Sequence, residues 1–347
     1  MKRLLAILKK LLLLAVFGLI LMAYDGWEQI NIPLRLSEPQ TLELPQGGNL
    51  QSVVAELSSR GAWSTLRQRY YLLAYGRFTR AALQLKAGEY ELTPASTPKQ
   101  VLELLVSGKS KQYSFTIVEG WTAAEVFTRL AQQTAITHIL PADPATIMQA
   151  LGEPALHPEG LFYPDTYNYP RGTTDLEFLK RARGQMQQVL DEEWTARAPE
   201  LPLSTPYEAL ILASIVERET GLSIERPLIA GVFVRRLQKG MMLQTDPTVI
   251  YGLGAKFDGN LRRADLQADT SYNTYTRVGL PPTPIALPGR AAINAALHPT
   301  PDSSLYFVAK GDGSHVFSAT IEEHEAAVRQ YQLKQPASVV PAAPTTP

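Results

Sequence analysis

Cysteine is absent from the 347 residues of this chain. That removes disulfide scaffolds, thiolate-bound zinc and thiol nucleophiles together, and it is harmless in an oxidising compartment. Net charge is absent as well. Lys plus Arg and Asp plus Glu both total 33, so no long-range field draws nucleic acid or a strongly acidic partner. Histidine is scarce. His138, His157, His298, His315 and His324 include no pair at helical metal spacing, and no HExxH occurs. His324, between Glu323 and Glu325, reads as part of a solvated helix face. The phosphate-loop look-alike "SGKS" at Ser107–Ser110 has Glu103 where the upstream glycine belongs. In "GLGAKF", Phe257 stands where a dinucleotide fingerprint needs its third glycine. No GxSxG elbow occurs, and the glycines of "GDGSHVF" lie two apart in a turn-like context. Metal, nucleotide and serine-nucleophile chemistry all lack their residues, so no metal or organic cofactor is expected.

The length suits two folded units plus flanking segments, at roughly 100 to 200 residues per domain. A hydrophobic content of 45% with 19% charged residues is that of a globular protein carrying some membrane or tail sequence. Lys2, Arg3, Lys9 and Lys10 precede the apolar run Leu11–Ala23, and Asp25, Trp27 and Glu28 follow it. The positive end therefore stays cytoplasmic and the body of the chain is exported. Leu4–Leu8 lengthens the run toward the roughly 20 residues of a span, Lys9 and Lys10 can snorkel, and Tyr24 and Trp27 suit the far interface. The expectation is an uncleaved anchor over residues 1–27, with the body exported. A signal peptide cleaved after "LMA" is the competing reading.

From Ser37 the pattern turns globular. "TLEL" reads as a strand, and "NLQSVVAELSSRG" places Leu50, Val53, Val54 and Leu57 on one helical stripe ending at Gly61. A second helix is expected over about Ser64 to Tyr75. "KAGEYEL" follows as a strand with Tyr90 and Leu92 on one face, then a helix with Thr97 as N-cap, Pro98 at its first position and Gly108 near its end. This order describes a small α+β module over residues 38–112. The strand "QYSFTIVEG" leads into a larger α+β domain, 113–332, whose first helix opens on a Thr122–Glu125 capping box. "EGLFYPDTYNYP" and "SYNTYTRVGLPPTPIALPG" are irregular stretches, read either as groove-forming loops or as packed surface loops. The Pro/Ala/Thr-rich end, 333–347, reads as a disordered tail.

One helix draws a chemical reading. Thr205, Pro206 and Glu208 suit N-cap, first position and third position of a capping box, and Gly221 suits a left-handed C-cap. Residues Ala209–Val216 are apolar on nearly every side, Ser214 excepted, so this helix is expected to be buried, with the domain built around it. At roughly 100° per residue Glu217 shares a face with Leu210, Ala213 and Ser214, while Glu219 lies about 200° away. The two carboxylates therefore cannot act as a pair. Glu217 is either a helix-end glutamate paired with Arg218 or Arg226, or, at the mouth of a groove, a carboxyl kept protonated by desolvation and fit to be a general acid. Gln244, Thr245 and Asp246 before Pro247, and Tyr272, Asn273, Thr274 and Tyr275, supply groups that suit a hydroxyl-rich neutral ligand such as a sugar.

"ASIVERET", "LQTDPTVIYG", "SYNTYTRVGLPPTPIALPG", "EGLFYPDTY" and "YFVAKGDGSHVFS" together resemble the YceG-like (MltG) family of endolytic murein transglycosylases, over about Leu42 to Gln330. The resemblance implies a membrane-anchored periplasmic enzyme that cleaves the MurNAc–GlcNAc β-1,4 bond within peptidoglycan strands and leaves 1,6-anhydro-MurNAc ends. It also implies a LysM-like module ahead of the catalytic domain. It names Glu217, the first glutamate of the motif, as the catalytic one and gives Glu219 a less defined role. Gln244, Thr245, Asp246, Tyr272, Asn273 and Tyr275 are carried as substrate-binding candidates. A lone acid suits transglycosylation, because a hydrolase usually needs a second carboxylate. A muramidase, with Asp246 as that carboxylate, and a non-catalytic glycan-binding adaptor are the alternatives. Peptidoglycan synthases are the expected neighbours where new strands emerge.

Overall fold

The structure, a computed structural model, describes residues 2–141 and 143–333. All of the tail read over 333–347 except Leu333 lies outside them. The chain divides into two compact units, one running to Ser114 with Asn168–Thr173 added, the other comprising Phe115–Tyr167 and the residues from Thr174 on.

The first unit begins with helix α1, Lys2–Asn31. Its stretch Leu5–Asn31 is long and apolar enough to cross a membrane, its most apolar 18 residues having a mean hydropathy of 2.4. Strands β1 (Gln40–Leu44) and β2 (Gly88–Leu92) pair antiparallel, Leu42 opposite Tyr90 and Gln40 opposite Leu92. Their inward side chains bury against helices α2 (Leu50–Ser59), α3 (Gln68–Phe78) and α4 (Pro98–Ser107). Alternation in the strands and the 3.6-residue stripe in the helices direct these residues to one core. Thr97 caps α4 with a reciprocal Gln100 bond, and Gly108 closes it at φ 73°. The helix expected from Ser64 starts later, at Gln68, because the Gln68 side chain accepts the Ser64 and Thr65 N–H groups and holds them outside the helix.

The chain passes between the units within strands β3 (Gln112–Thr116) and β4 (Thr166–Pro170). The second unit contains α5 (Ala123–Leu130), α6 (Pro144–Ala150), α7 (Asp175–Thr195), α8 (Pro206–Glu219), α9 (Arg226–Gln238), α10 (Asp246–Leu253), α11 (Arg263–Gln267) and α12 (Arg290–Leu297). A hairpin of β5 (Tyr306–Ala309) and β6 (His315–Ser318) follows, covered by α13 (Ile321–Tyr331). Helix α8 packs against α12, α9, α7 and α10, and every residue from Ala209 to Val216 is buried. Its polar exception is satisfied locally. Ser214 donates to the Ile211 carbonyl at 2.7 Å and accepts the Ile285 N–H at 2.9 Å, pinning the proline-rich stretch to the helix.

One open reading closes and two expectations change. Of the two readings of "EGLFYPDTYNYP", the packed one describes it: Phe162, Tyr167 and Tyr169 are buried, and its second half is β4. Gly160 there has φ +81°, and an added Cβ would lie 2.5 Å from the Pro284 ring, so this position needs glycine. The left-handed cap at Gly221 does not form. Thr220 ends α8 in an extended conformation, and its hydroxyl accepts the Leu222 N–H. Thr205 caps the helix, but Glu208 reaches back to the Ser204 N–H instead of completing the box.

Candidate functional site

The last turn of α8 sends its two glutamates to different surroundings, as the helical phase requires. Glu217 has a side chain only 5% exposed and is fully engaged. Arg226, from the first turn of α9, donates to its Oε1 at 3.0 Å, and the Gly289 N–H donates to Oε2 at 2.9 Å. Burial pushes its pKa up, while the Gly289 N–H and Arg226 pull it back. This is a buried ion pair at the junction of α8, α9 and α12.

Glu219 faces a cavity of about 460 Å³, a volume usual for ligand clefts. Burial raises its pKa to about 7; the Thr245 hydroxyl bond and His315 oppose the rise, and Asp246 adds to it. No cation forms an ion pair with it among the described residues, and the Thr245 hydroxyl donates to its Oε1. Gln244, Thr245, Asp246 and Tyr275 line the same cavity. The turn before α10 is held in place from several sides. Gln244 is left-handed at φ 52°, its N–H donates to the Thr274 carbonyl at 3.0 Å, and the buried Thr248 and Thr274 hydroxyls bond each other and the Thr245 backbone. A non-glycine held in that region is strain that surrounding contacts must hold, a pattern that concentrates at functional sites. The Tyr275 hydroxyl donates to Asp246 Oδ1 at 2.6 Å.

Two of the named residues stand elsewhere. Asn273 is 1% exposed and saturated: its Nδ2 donates to the carbonyls of Asp265, Leu266 and Ala268, and its Oδ1 accepts the Tyr275 N–H. It shapes the loop that presents Tyr275 and has no group left for a sugar. Tyr272 hydrogen-bonds Thr283 and tilts against Tyr251, so it is a packing residue.

The cavity also has walls that sequence reasoning missed. A model of the YceG-like family matches residues 42–330. The chain belongs to the YceG-like family. An endolytic murein transglycosylase of Bacillus subtilis is 30% identical over 308 residues, covering 84% of each chain. One from Streptococcus pneumoniae is 27% identical over 327 residues, and this chain spans 58% of its length. The fold is similar to a crystal structure of a YceG-like protein from Listeria monocytogenes, with TM-score 0.53 and 29% identity, covering 84% of this chain and 99% of that one.

In this YceG-like chain the missed walls are Arg236 of α9 and the hairpin residues Tyr306, Phe307 and His315. Arg236 is buried and spends its donors on the Leu305 and Leu243 carbonyls and on Gln244 Oε1, with its guanidinium over the Tyr306 ring. His315 is anchored twice to Glu225. Its N–H meets Oε1 at 2.9 Å and its Nδ1 lies 2.7 Å from Oε2, while Phe307 sits edge-on to the ring. The available signal was the "GDGSHVF" turn, which reverses the chain and brings a lone histidine back along a strand.

Proposed function

We propose that this chain is a murein lytic transglycosylase that cuts the MurNAc–GlcNAc β-1,4 bond within peptidoglycan strands, with Glu219 rather than Glu217 as its acid. The observation that carries this is the contrast at the end of α8: Glu219 meets an open cavity with a pKa near 7 and no ion-pair partner, whereas Glu217 is tied to Arg226 and Gly289. A general acid works best with a pKa near the operating pH. The names of the bacillary and streptococcal relatives support the reaction class.

In the reaction, Glu219 gives its proton to the glycosidic oxygen as the bond from C1 breaks. The substrate's N-acetyl group stabilises the positive charge at C1. The Glu219 carboxylate then takes the proton of the C6 hydroxyl, whose oxygen bonds C1 and closes the 1,6-anhydro ring. Thr245 orients the carboxyl, the Gln244 amide binds an N-acetyl group, and Tyr275 offers a face to a sugar ring. The Glu225–His315 pair fixes one wall, and His315 opposes the rise in the Glu219 pKa. The first unit serves as a LysM-like glycan-binding module, and α1 anchors the enzyme to the inner membrane with the body in the periplasm, close to peptidoglycan synthases acting on new strands.

Asp246 favours a second reading, because it lines the same cavity and could activate water as a muramidase does. Its engagement by the Tyr275 hydroxyl argues against that role. Product analysis of digested glycan separates the two. Anhydro ends lost in Glu219→Gln support transglycosylation, reducing ends support hydrolysis, and no cleavage by the wild type leaves a binding protein.

A further inference from the structure

The first unit has one end that its own fold leaves uncovered, and the anchor helix fixes where that end points. Helix α1 is exposed on all described side chains up to Tyr24 and is packed only from Asp25 onward. Helix α3 is tied to that packed stretch through its first turns: Gln68 donates to the Ile32 carbonyl at 2.9 Å and Tyr71, one turn on, donates to Asp25 at 2.7 Å, while the long Arg67 side chain also reaches Asp25, at 2.9 Å. Following α3 from Gln68 toward Phe78 therefore leads back along α1 toward the apolar span. At that end Phe78 is 90% exposed and Leu83, in the next turn, 85%. Arg77, Arg80 and Lys86 beside them are exposed too. Lys99 reaches over the Trp27 ring at 5.1 Å, placing another cation at the aromatic level of α1.

Single exposed apolar residues are ordinary on a protein surface. Here a phenylalanine and a leucine lie among arginines at the membrane-facing end of a tethered module, the pattern of an interfacial membrane contact. We propose that this end of the first unit seats on the periplasmic leaflet of the membrane that holds α1. Phe78 and Leu83 enter the boundary of headgroups and acyl chains, and Arg77 and Arg80 meet anionic phospholipid. The tether makes this contact effectively intramolecular, so a modest affinity suffices to set the height of the module above the bilayer. The inference rests on the anchor reading of α1.

The lack of cysteine makes the test direct. Full-length protein carrying Leu83→Cys, labelled with an environment-sensitive fluorophore, is reconstituted in phosphatidylethanolamine/phosphatidylglycerol vesicles containing bromo-acyl lipid as quencher. A Leu12→Cys label reports insertion of α1. The expected result is a blue-shifted, quenched signal at both positions. Arg77→Glu/Arg80→Glu, or replacing phosphatidylglycerol by phosphatidylcholine, lowers quenching at position 83 several-fold and leaves position 12 unchanged. A quenched position 12 with a water-exposed position 83 overturns the proposal while leaving the anchor intact, and the exposed face then belongs to another ligand. An unquenched position 12 overturns the anchor reading and this inference with it. Charge-independent quenching at position 83 overturns the role of the arginines.

Discussion

A buried carboxylate of the first unit and one of the second are held in opposite states. Glu89 in the first unit has a side chain 9% exposed, and burial opposes its ionisation, but the Tyr113 hydroxyl and Arg171 outweigh burial and hold its pKa below the ordinary value. Glu219 in the second unit has one hydroxyl donor and, among the described residues, no ion-pair partner, so burial prevails and its pKa rises to about 7. Glu217 lies between them, raised by burial and pulled back by Gly289 and Arg226. Burial alone therefore does not make an acid. A neighbouring cation converts the same desolvated carboxyl into a structural ion, and its absence leaves a proton that can be given away.

The contrast breaks most severely at Glu219. Glu219→Gln should lower glycan cleavage by about 10²- to 10⁴-fold, and Glu217→Gln by about tenfold or less, read as anhydro-ended products per folded enzyme. Equal losses, or a larger loss for Glu217→Gln, would return the acid to Glu217. In the first unit, Arg171→Ala should destabilise by about 1 to 3 kcal/mol through a buried carboxylate left short of donors, measured by denaturant unfolding. Because the Glu89 pKa is lowered, its stabilisation is present above the ordinary glutamate value and disappears as pH falls through the lowered one. Acid should therefore narrow the gap between Arg171→Ala and wild type; a gap that does not change with pH would remove Glu89 from the explanation.

Glu219 carries the opposite sign. With its pKa raised to about 7, its stabilisation is complete below the ordinary glutamate value and is lost as pH rises through 7. At pH 8 the wild type buries a charge that Glu219→Gln does not, so the inactive variant should melt about 2 °C or more higher, with the gain gone at pH 5. A variant that melts lower at pH 8 would contradict the unpaired state of Glu219. The smallest expected effects are shifts in the alkaline limb of the cleavage profile. His315 lowers the Glu219 pKa and Asp246 raises it. His315→Gln should therefore move the limb to higher pH and Asp246→Asn to lower pH, and shifts in the same direction would show that neither acts through Glu219.

Much of the local structure was legible from neighbours in sequence. Thr97, Thr122 and Thr205 announce helix starts because a cap bonds backbone only three residues away. The misses lie in side-chain choices. Gln68 shortened a helix by accepting the Ser64 and Thr65 N–H groups, and Asn273 was taken up by three carbonyls at the end of α11. Neither choice is marked by periodicity or composition. The cavity suffered likewise, since no motif or spacing singled out Arg236, and His315 stood only in a turn-like context.

The sequence by itself determined that α8 is buried, that Glu217 and Glu219 leave it on different sides, and that the chain carries an apolar N-terminal helix. Those properties follow from helical periodicity and composition, which any stretch of chain carries with it. Which glutamate keeps a proton was decided only in the tertiary structure. Arg226 and Gly289 arrive at one carboxyl, while Thr245, Asp246 and His315 surround the other. A pKa is set by whatever charges and donors the fold brings near a group, and here most of them come from distant parts of the chain.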